Sequence, residues 1–216
     1  MKQGAIFDMD GTLFDTEKFY TRGWIETADD FGVKRKPALA AAMCGRSLKE
    51  MPDIVHGFYP GIDAEEYARR VVRFAEKRME EDFEMLPGVA EILNFFRANK
   101  IPMAIASSSG VNVIERNVKR IGIEKYFDAL VGGNTVANGK PAPDIFLKAA
   151  EEIKVAPENC YVFEDSPNGI RGARAAKCVA IMIPDQIQPT SEIRDLADGI
   201  FDDMYEALDA IKRGKI

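Results

Sequence analysis

Five short apolar runs constrain the fold of this 216-residue chain more than any other feature of its sequence. Each run gives way to small or acidic residues at its C-terminal end, which is typical of a buried strand that ends in a polar loop. From residue 87 onward the runs alternate with segments of helical spacing, such as the one from Val89 to Phe96. This alternation predicts an α/β fold with a doubly wound, mainly parallel sheet, in which the polar strand ends converge. The five runs span Gly4 to Phe7, Ile101 to Ala106, Ala129 to Val131, Cys160 to Phe163 and Val179 to Ile183.

The stretch from residue 16 to residue 82 interrupts this alternation, because it holds helical patterns but no apolar strand. One helical pattern is closed by Gly32, and another is opened by Asp63 as the first residue of a capping box. We therefore predict two domains, a catalytic core of residues 1–15 and 83–216 and an inserted helical cap of residues 16–82. Such a cap would sit over the strand ends as a lid that determines substrate specificity.

The composition disfavours several classes of protein. Asp and Glu outnumber Lys and Arg by 35 to 29, and the resulting charge of −6 disfavours nucleic acid as a partner. No apolar run is long enough to span a bilayer or to form a signal-peptide core, so we expect a cytoplasmic protein with no membrane partner. We also expect it to be a monomer. Cys44, Cys160 and Cys178 lie far apart without metal-ligand spacing, and we expect reduced, mostly buried thiols.

Two of the predicted strands end in pairs of acidic residues. Asp8 and Asp10 follow the first strand, and Glu164 and Asp165 follow the fourth. Because neighbouring carboxylates repel one another, such a pair favours a cation, and Mg²⁺ prefers carboxylate and carbonyl oxygens. A carboxylate beside the ion could act as a nucleophile while its neighbour transfers protons. Taken alone, the first pair is more often a polar turn, and the second could cap the following helix.

Two other strand ends carry residues that suit a phosphate group. Ser107, Ser108 and Ser109 follow the second strand and precede a helix, so their hydroxyls and the amide groups of the helix start could bind phosphate oxygens. Lys140 follows the third strand, where two prolines restrain the backbone, and could stabilise a phosphoryl group in transfer. A plain helix N-cap and a solvated surface lysine are the alternatives. Together, the four strand ends carry the parts of a phosphoryl-transfer site.

In their order along the chain, these motifs resemble the four motifs of the haloacid dehalogenase (HAD) superfamily, and the match spans nearly the whole sequence. The helical insert directly after the first motif is similar to that of members with a small helical cap on a Rossmann-like core. Within the superfamily, the chain most resembles the beta-phosphoglucomutase-like group of small phosphatases and mutases. The motifs are Asp8-x-Asp10-Gly11-Thr12, Ser107, Lys140-Pro141 with Pro143-Asp144, and Glu164-Asp165-Ser166.

The resemblance implies a catalytic role for four residues. By analogy, Asp8 attacks phosphorus to form an aspartyl-phosphate. Asp10 protonates the leaving oxygen and then deprotonates the water that hydrolyses this intermediate. Ser107 and Lys140 bind the phosphoryl oxygens. The implied reaction is the hydrolysis of a small phosphorylated metabolite such as a sugar phosphate.

The resemblance also implies a Mg²⁺ cofactor. Its ligands would be Asp8, the backbone carbonyl of Asp10 and Asp165, with Glu164 in or next to the coordination shell.

Substrate choice is expected to come from a second group of residues. Arg46 and Lys49 lie in a segment that resembles the specificity loop of the family, where either could meet a second anionic group or simply be solvated. Ser108, Ser109 and Asn112 are the substrate-binding candidates on the core side.

Three further residues carry weaker predictions. Tyr20 stands where sugar-phosphate mutases of this group have a histidine, which disfavours mutase activity. His56 lies in a segment that looks like a loop, and we expect a structural or surface role for it. Trp24 lies on a helical apolar stripe, which favours a place in the core of the cap.

Other activities stay open beside the phosphatase. A sugar-phosphate mutase is the nearest alternative, and a phospho-aspartate signalling module is the alternative from another class. Dehalogenation is less favoured, because it needs neither an acid for the leaving group nor Mg²⁺. Carbon–phosphorus cleavage would depend on Lys49 as the amine that forms a Schiff base.

Overall fold

The computed structural model describes residues 1–43 and 50–216, which divide into two compact units. The core unit consists of residues 1–14 and 84–216, and the helical unit consists of residues 15–83. The chain therefore crosses between the units twice, and the helical unit is an insertion in the sequence of the core unit.

The core unit contains a six-stranded sheet in which every neighbouring pair of strands is parallel. The strand order is 3-2-1-4-5-6, so the order reverses at the first strand, which is where doubly wound folds form a crevice beyond the carboxyl ends. The predicted fold class is confirmed. The strands are β1 (Gly4–Phe7), β2 (Met103–Ser107), β3 (Ala129–Gly132), β4 (Cys160–Glu164), β5 (Val179–Met182) and β6 (Gly199–Ile200).

The sixth strand is absent from the prediction, which contains five. Only two residues of β6 pair with β5, through Ile181 with Gly199 and Met182 with Ile200. A two-residue edge strand produces no apolar run, so the hydrophobic pattern of the sequence does not reveal it.

Ten α-helices form among the described residues, four in the helical unit and six in the core unit. Those of the helical unit are α1 (Glu17–Glu26), α2 (Pro37–Met43), α3 (Met51–Phe58) and α4 (Ala64–Glu81). Those of the core unit are α5 (Val89–Ala98), α6 (Val111–Ile121), α7 (Asp144–Glu152), α8 (Pro167–Ala175), α9 (Ser191–Leu196) and α10 (Met204–Lys212). Among the described residues 1–43 and 50–216, no helix is long and apolar enough to cross a membrane.

The central strand β1 is buried on both faces, which gives the residues after it a rigid support. Ile6 belongs to a cluster of buried side chains that includes Phe146 on α7 and Ile170 on α8. Its neighbour Phe7 points to the opposite face, where its ring stacks on that of Phe163 with 4.7 Å between centroids. Cys160 and Cys178 are buried free thiols, as predicted, and Cys44 lies outside the described residues.

The helical unit has an apolar core of its own. Trp24 on α1 is buried and stacks on Tyr67 of α4, whose hydroxyl donates to the Trp24 carbonyl (2.8 Å). The predicted place of Trp24 in this core is therefore confirmed. The predicted capping residue is confirmed as well, because the backbone N–H of Glu66 donates to Asp63 Oδ1 (2.9 Å) at the start of α4.

The prediction of a loop around His56 is wrong. His56 lies on α3 and is exposed, and Pro52 occupies the first turn of that helix. Proline has no backbone N–H, but the N–H groups in the first turn of a helix have no intrahelical partners in any case. Pro52 is therefore compatible with the start of α3 and does not break the helix. The expected surface position of His56 is confirmed.

Candidate active site

The loop after β1 presents the first two carboxylates. Asp8 is 6% exposed, and its backbone N–H donates to the carbonyl of Phe163 on β4 (2.9 Å). Asp10 is half-buried. Gly11 has a φ of 78°, a left-handed conformation that costs glycine little, and it lets the chain turn back so that Leu13 N–H donates to the Met9 carbonyl (2.9 Å). The pairing of β1 with β4 thus positions Asp8.

Lys140 joins the ends of two neighbouring strands. Its ammonium donates to Asp8 Oδ1 and to Glu164 Oε1, the second at 2.5 Å. All three side chains are at least nine-tenths buried. The structure therefore brings together an ammonium and two carboxylates that are 132 and 24 residues from it in sequence.

Burial and charge act against each other in this group. Burial raises the pKa of Asp8, and the nearby charges of Glu164 and Asp10 add to that effect, whereas Lys140 opposes it. Burial alone would lower the pKa of Lys140, but the two carboxylates outweigh it, so the pKa of Lys140 is raised. The lysine is therefore a fixed positive charge next to Asp8.

Glu164 is held from both sides of its carboxylate. Its Oε1 accepts from Lys140, and its Oε2 accepts from the backbone N–H and the hydroxyl of Ser166, each at 2.8 Å. The Ser166 hydroxyl also accepts from Gly169 N–H (3.0 Å) and caps α8. These contacts orient Glu164 toward Lys140.

Asp165 approaches the loop after β1 at Gly11. A methyl group on Gly11 would lie 2.7 Å from Asp165 Oδ2 and 3.4 Å from Asp185 Oδ2. The Thr12 hydroxyl donates to Asp165 Oδ1 across 3.5 Å. Asp185 is missing from the prediction, although it is an acidic residue after the fifth apolar run and so repeats the pattern of the other strand ends.

The oxygen atoms at this point suit a Mg²⁺ ion. The predicted ligands, the carboxylates of Asp8 and Asp165 and the backbone carbonyl of Asp10, are oxygen donors of the kind that Mg²⁺ prefers, and Gly11 leaves the space that a side chain would fill against Asp165. Within residues 1–43 and 50–216, no three His, Cys, Asp or Glu side chains form a metal-binding group by themselves.

The serines after β2 take different positions. Ser107 is 1% exposed and its Oγ accepts from Ser109 N–H (3.1 Å). Ser109 Oγ donates to Asp10 Oδ2 (3.1 Å). Ser108 is exposed in the loop before α6, and Asn112 is exposed in the first turn of that helix. Arg46 and Lys49 lie outside the described residues, and the substrate contacts of all these residues stay predictions.

A comparison with known families matches residues 2–177 to the model described as a haloacid dehalogenase-like hydrolase. The chain belongs to this family. It is therefore an enzyme of the HAD-like hydrolases, as its motifs predict.

The relatives support the same family. The chain is 34% identical to the phosphorylated carbohydrates phosphatase of Thermotoga maritima, over 81% of each protein. It is 32% identical to the fructose-1-phosphate phosphatase YqaB of Escherichia coli K12, over 82% of this chain and 94% of that protein. Its fold is similar to the crystal structure of a proposed beta-phosphoglucomutase from Thermotoga maritima, with a TM-score of 0.82, 29% identity, and coverage of 98% of this chain and 99% of that one.

Proposed function

We propose that this HAD-like hydrolase is a Mg²⁺-dependent phosphatase that acts on a small phosphorylated metabolite of the sugar phosphate class. The observation that carries the proposal is the buried contact of Lys140 with Asp8 at the end of β1. With these groups side by side, the carboxylate can attack the phosphorus atom of a phosphoryl group. The fixed ammonium can offset the negative charge of the phosphoryl oxygens. Two relatives, a phosphorylated carbohydrates phosphatase and a fructose-1-phosphate phosphatase, support a sugar phosphate as substrate.

The proposed reaction has two steps. In the first, a carboxylate oxygen of Asp8 attacks phosphorus, the bond from phosphorus to the ester oxygen breaks, and Asp10 gives its proton to that leaving oxygen. In the second, Asp10 takes a proton from water, the resulting oxygen attacks phosphorus, and the bond to Asp8 breaks to release phosphate. Lys140 and the Ser107 hydroxyl would stabilise the negative charge of the phosphoryl oxygens in both steps.

The metal would be held by Asp8, Asp165 and the backbone carbonyl of Asp10. When bound, Mg²⁺ would neutralise part of the charge of the phosphoryl group and favour the ionised form of Asp8. Glu164 stands next to this set, and its contacts with Lys140 and Ser166 give it a positioning role.

We expect the predicted cap, residues 16–82, to select among phosphate esters. Arg46 and Lys49 are its basic candidates for a second anionic group on the substrate. Ser108, Ser109 and Asn112 are the candidates on the core unit, beside Ser107 in the phosphoryl site, and Ser108 and Asn112 are exposed.

A sugar-phosphate mutase is the second candidate, and the similarity to a proposed beta-phosphoglucomutase favours it. Tyr20 weighs against it, since it stands at the predicted place of the mutase histidine and packs in the apolar clusters of the helical unit. Incubation with a hexose 1-phosphate and a trace of the bisphosphate separates the two activities. Isomerisation would support the mutase, and steady phosphate release would support the phosphatase.

The first experiment is a measurement of phosphate release from a panel of sugar and nucleotide monophosphates, with and without Mg²⁺. We expect metal-dependent turnover that disappears in Asp8→Asn and persists in Asp195→Asn, a control on the exposed side of α9. Turnover that survives in Asp8→Asn would refute the aspartyl-phosphate. Failure to hydrolyse any monoester would contradict the phosphatase and favour the mutase or a phospho-aspartate signalling module.

A further inference from the structure

The hydroxyl of Ser109 contacts the side chain of Asp10. Ser109 Oγ donates to Asp10 Oδ2 at 3.1 Å, and the two residues are 99 positions apart in sequence. Ser109 lies between β2 and α6, and Asp10 lies in the loop after β1. Because β1 and β2 are adjacent parallel strands, their C-terminal loops emerge side by side, which is what makes this contact possible.

The backbone of Ser109 is itself held in place. Its N–H donates to Ser107 Oγ (3.1 Å), and its carbonyl accepts from Gly133 N–H (3.0 Å). Immediately afterwards, Val111 N–H donates to Asn134 Oδ1 (3.2 Å) at the start of α6. The position of the Ser109 hydroxyl therefore follows from contacts on both sides of the residue.

Two glycines at the C-terminal end of β3, Gly132 and Gly133, allow these contacts. A methyl group on Gly132 would lie 2.5 Å from Val111 N and 2.8 Å from the Ser109 carbonyl oxygen. A methyl group on Gly133 would lie 2.5 Å from the Ser108 carbonyl oxygen. Since both are backbone contacts, a side chain at either position would displace the serine loop from the position in which Ser109 contacts Asp10.

We infer that Ser109 is a positioning residue for Asp10 in the protonation of the leaving group, a role that rests on the proposed function. The hydrogen bond uses Asp10 Oδ2 as an acceptor and limits the rotation of the carboxyl group. This restricts the carboxyl group to the orientation in which Oδ1 faces outward from Ser109. The role differs from the substrate contact that the sequence predicts for Ser109.

This role predicts a loss that depends on the leaving group. A substrate whose leaving oxygen is a weak base needs little help from an acid, whereas a basic leaving oxygen depends on it strongly. In Ser109→Ala we therefore expect kcat/KM to fall by about 10- to 100-fold for the most basic leaving groups and by about threefold or less for the least basic. Ser109→Thr keeps a hydroxyl and should restore most of the loss.

The test uses a series of substituted phenyl phosphates, which differ in leaving-group basicity but little in shape, with saturating Mg²⁺. kcat/KM is the measured quantity because it reports on steps up to the first irreversible one, before hydrolysis of the acyl phosphate. Ser191→Ala on α9 is the control for loss of an exposed serine hydroxyl. A plot of log kcat/KM against the pKa of the leaving phenol should be steeper for Ser109→Ala than for the wild type and for Ser191→Ala.

Two further variants keep the inference testable. Gly133→Ala displaces the loop without removing the hydroxyl, and it should steepen the same plot if Ser109→Ala does not fold. In an Asp10→Asn background, Ser109→Ala should cause no further loss, because the two residues act through one proton transfer.

A uniform loss across the series, an additive loss in the Asp10→Asn background, or a rise in KM alone would each overturn the positioning role. These outcomes are distinct from failure of the proposed function, in which the wild-type enzyme itself would show no turnover that depends on Asp8.

Discussion

Gly169 lies against the carboxylate of Glu164, so closely that a methyl group on Gly169 would be 1.8 Å from the carboxyl carbon. No side chain fits that space while Glu164 keeps its position. The first turn of α8 therefore packs directly against the residue that orients Lys140.

Substitution of this glycine should displace Glu164 and with it Lys140. We expect kcat/KM of Gly169→Ala to fall by about 10- to 100-fold, since a misplacement on the order of 1 Å in an active site has effects of that size. The measurement is Mg²⁺-dependent phosphate release. Gly57→Ala is the matched control, because Gly57 is also helical and has nothing within 4 Å of an added methyl group. Equal activities of the two variants would contradict a requirement for the position of Glu164.

Removal of the buried ammonium should affect both activity and stability. In Lys140→Met, the carboxylates of Asp8 and Glu164 lose their common cation, and we expect kcat to fall by about 10²- to 10³-fold. Without metal, the free energy of unfolding at pH 7 should fall by about 3 kcal/mol, because a buried charge is left without its partner. Urea denaturation and phosphate release measure the two effects. Lys119→Met, at an exposed position on α6, should change neither, and a stability of Lys140→Met equal to that of this control would refute the second expectation.

Asn117 on α6 is a buried polar residue below the loop after β1. It is 2% exposed, its Nδ2 donates to Met9 Sδ (3.7 Å), and its Oδ1 is buried without a hydrogen-bond partner in the described part of the chain. An unsatisfied buried carbonyl costs about 1 to 3 kcal/mol. Asn117→Leu keeps a similar volume and should raise the free energy of unfolding by about 1 kcal/mol or more. Urea denaturation with an unchanged m-value would measure this, and a decrease would show that the carboxamide stabilises the fold.

The two buried thiols should make stability depend on alkaline pH. Burial raises the pKa of Cys160 to about 11 and that of Cys178 to about 12, from an ordinary value of 9.0. Between pH 9 and pH 11 the folded state therefore retains protons that the unfolded state has lost, so the free energy of unfolding falls as the pH rises. The stability that the thiols contribute is complete below pH 9 and is lost through the folded-state pKa values.

Comparison with a double variant isolates this contribution from the lysines and tyrosines that titrate nearby. We expect urea denaturation of the wild type to show a steeper loss of stability from pH 8.5 to 10.5 than that of Cys160→Ala/Cys178→Ala. Parallel curves would show that the thiols do not contribute to the pH dependence.

The sequence by itself determined the secondary structure that supports the candidate site. The apolar runs of β1 to β5 are local patterns, and burial in a parallel sheet requires them, so they can be recognised without knowledge of their neighbours. The same reasoning predicted residues suited to phosphoryl transfer at the strand ends, because the carboxyl ends of parallel strands face one edge of the sheet.

Only the tertiary structure decided which of these residues touch one another. Three such contacts join separate segments of the chain. Ser109 donates a hydrogen bond to Asp10, Lys140 donates one to Glu164, and Gly169 packs against the Glu164 carboxylate. Such contacts depend on strand register and on side-chain rotamers, which differ between positions with the same local pattern. The strand β6 belongs to the same class, since its two residues become a strand only by pairing with β5. Local hydrophobic periodicity encodes which residues lie in strands and helices, whereas contacts between side chains of distant loops arise only when those elements pack.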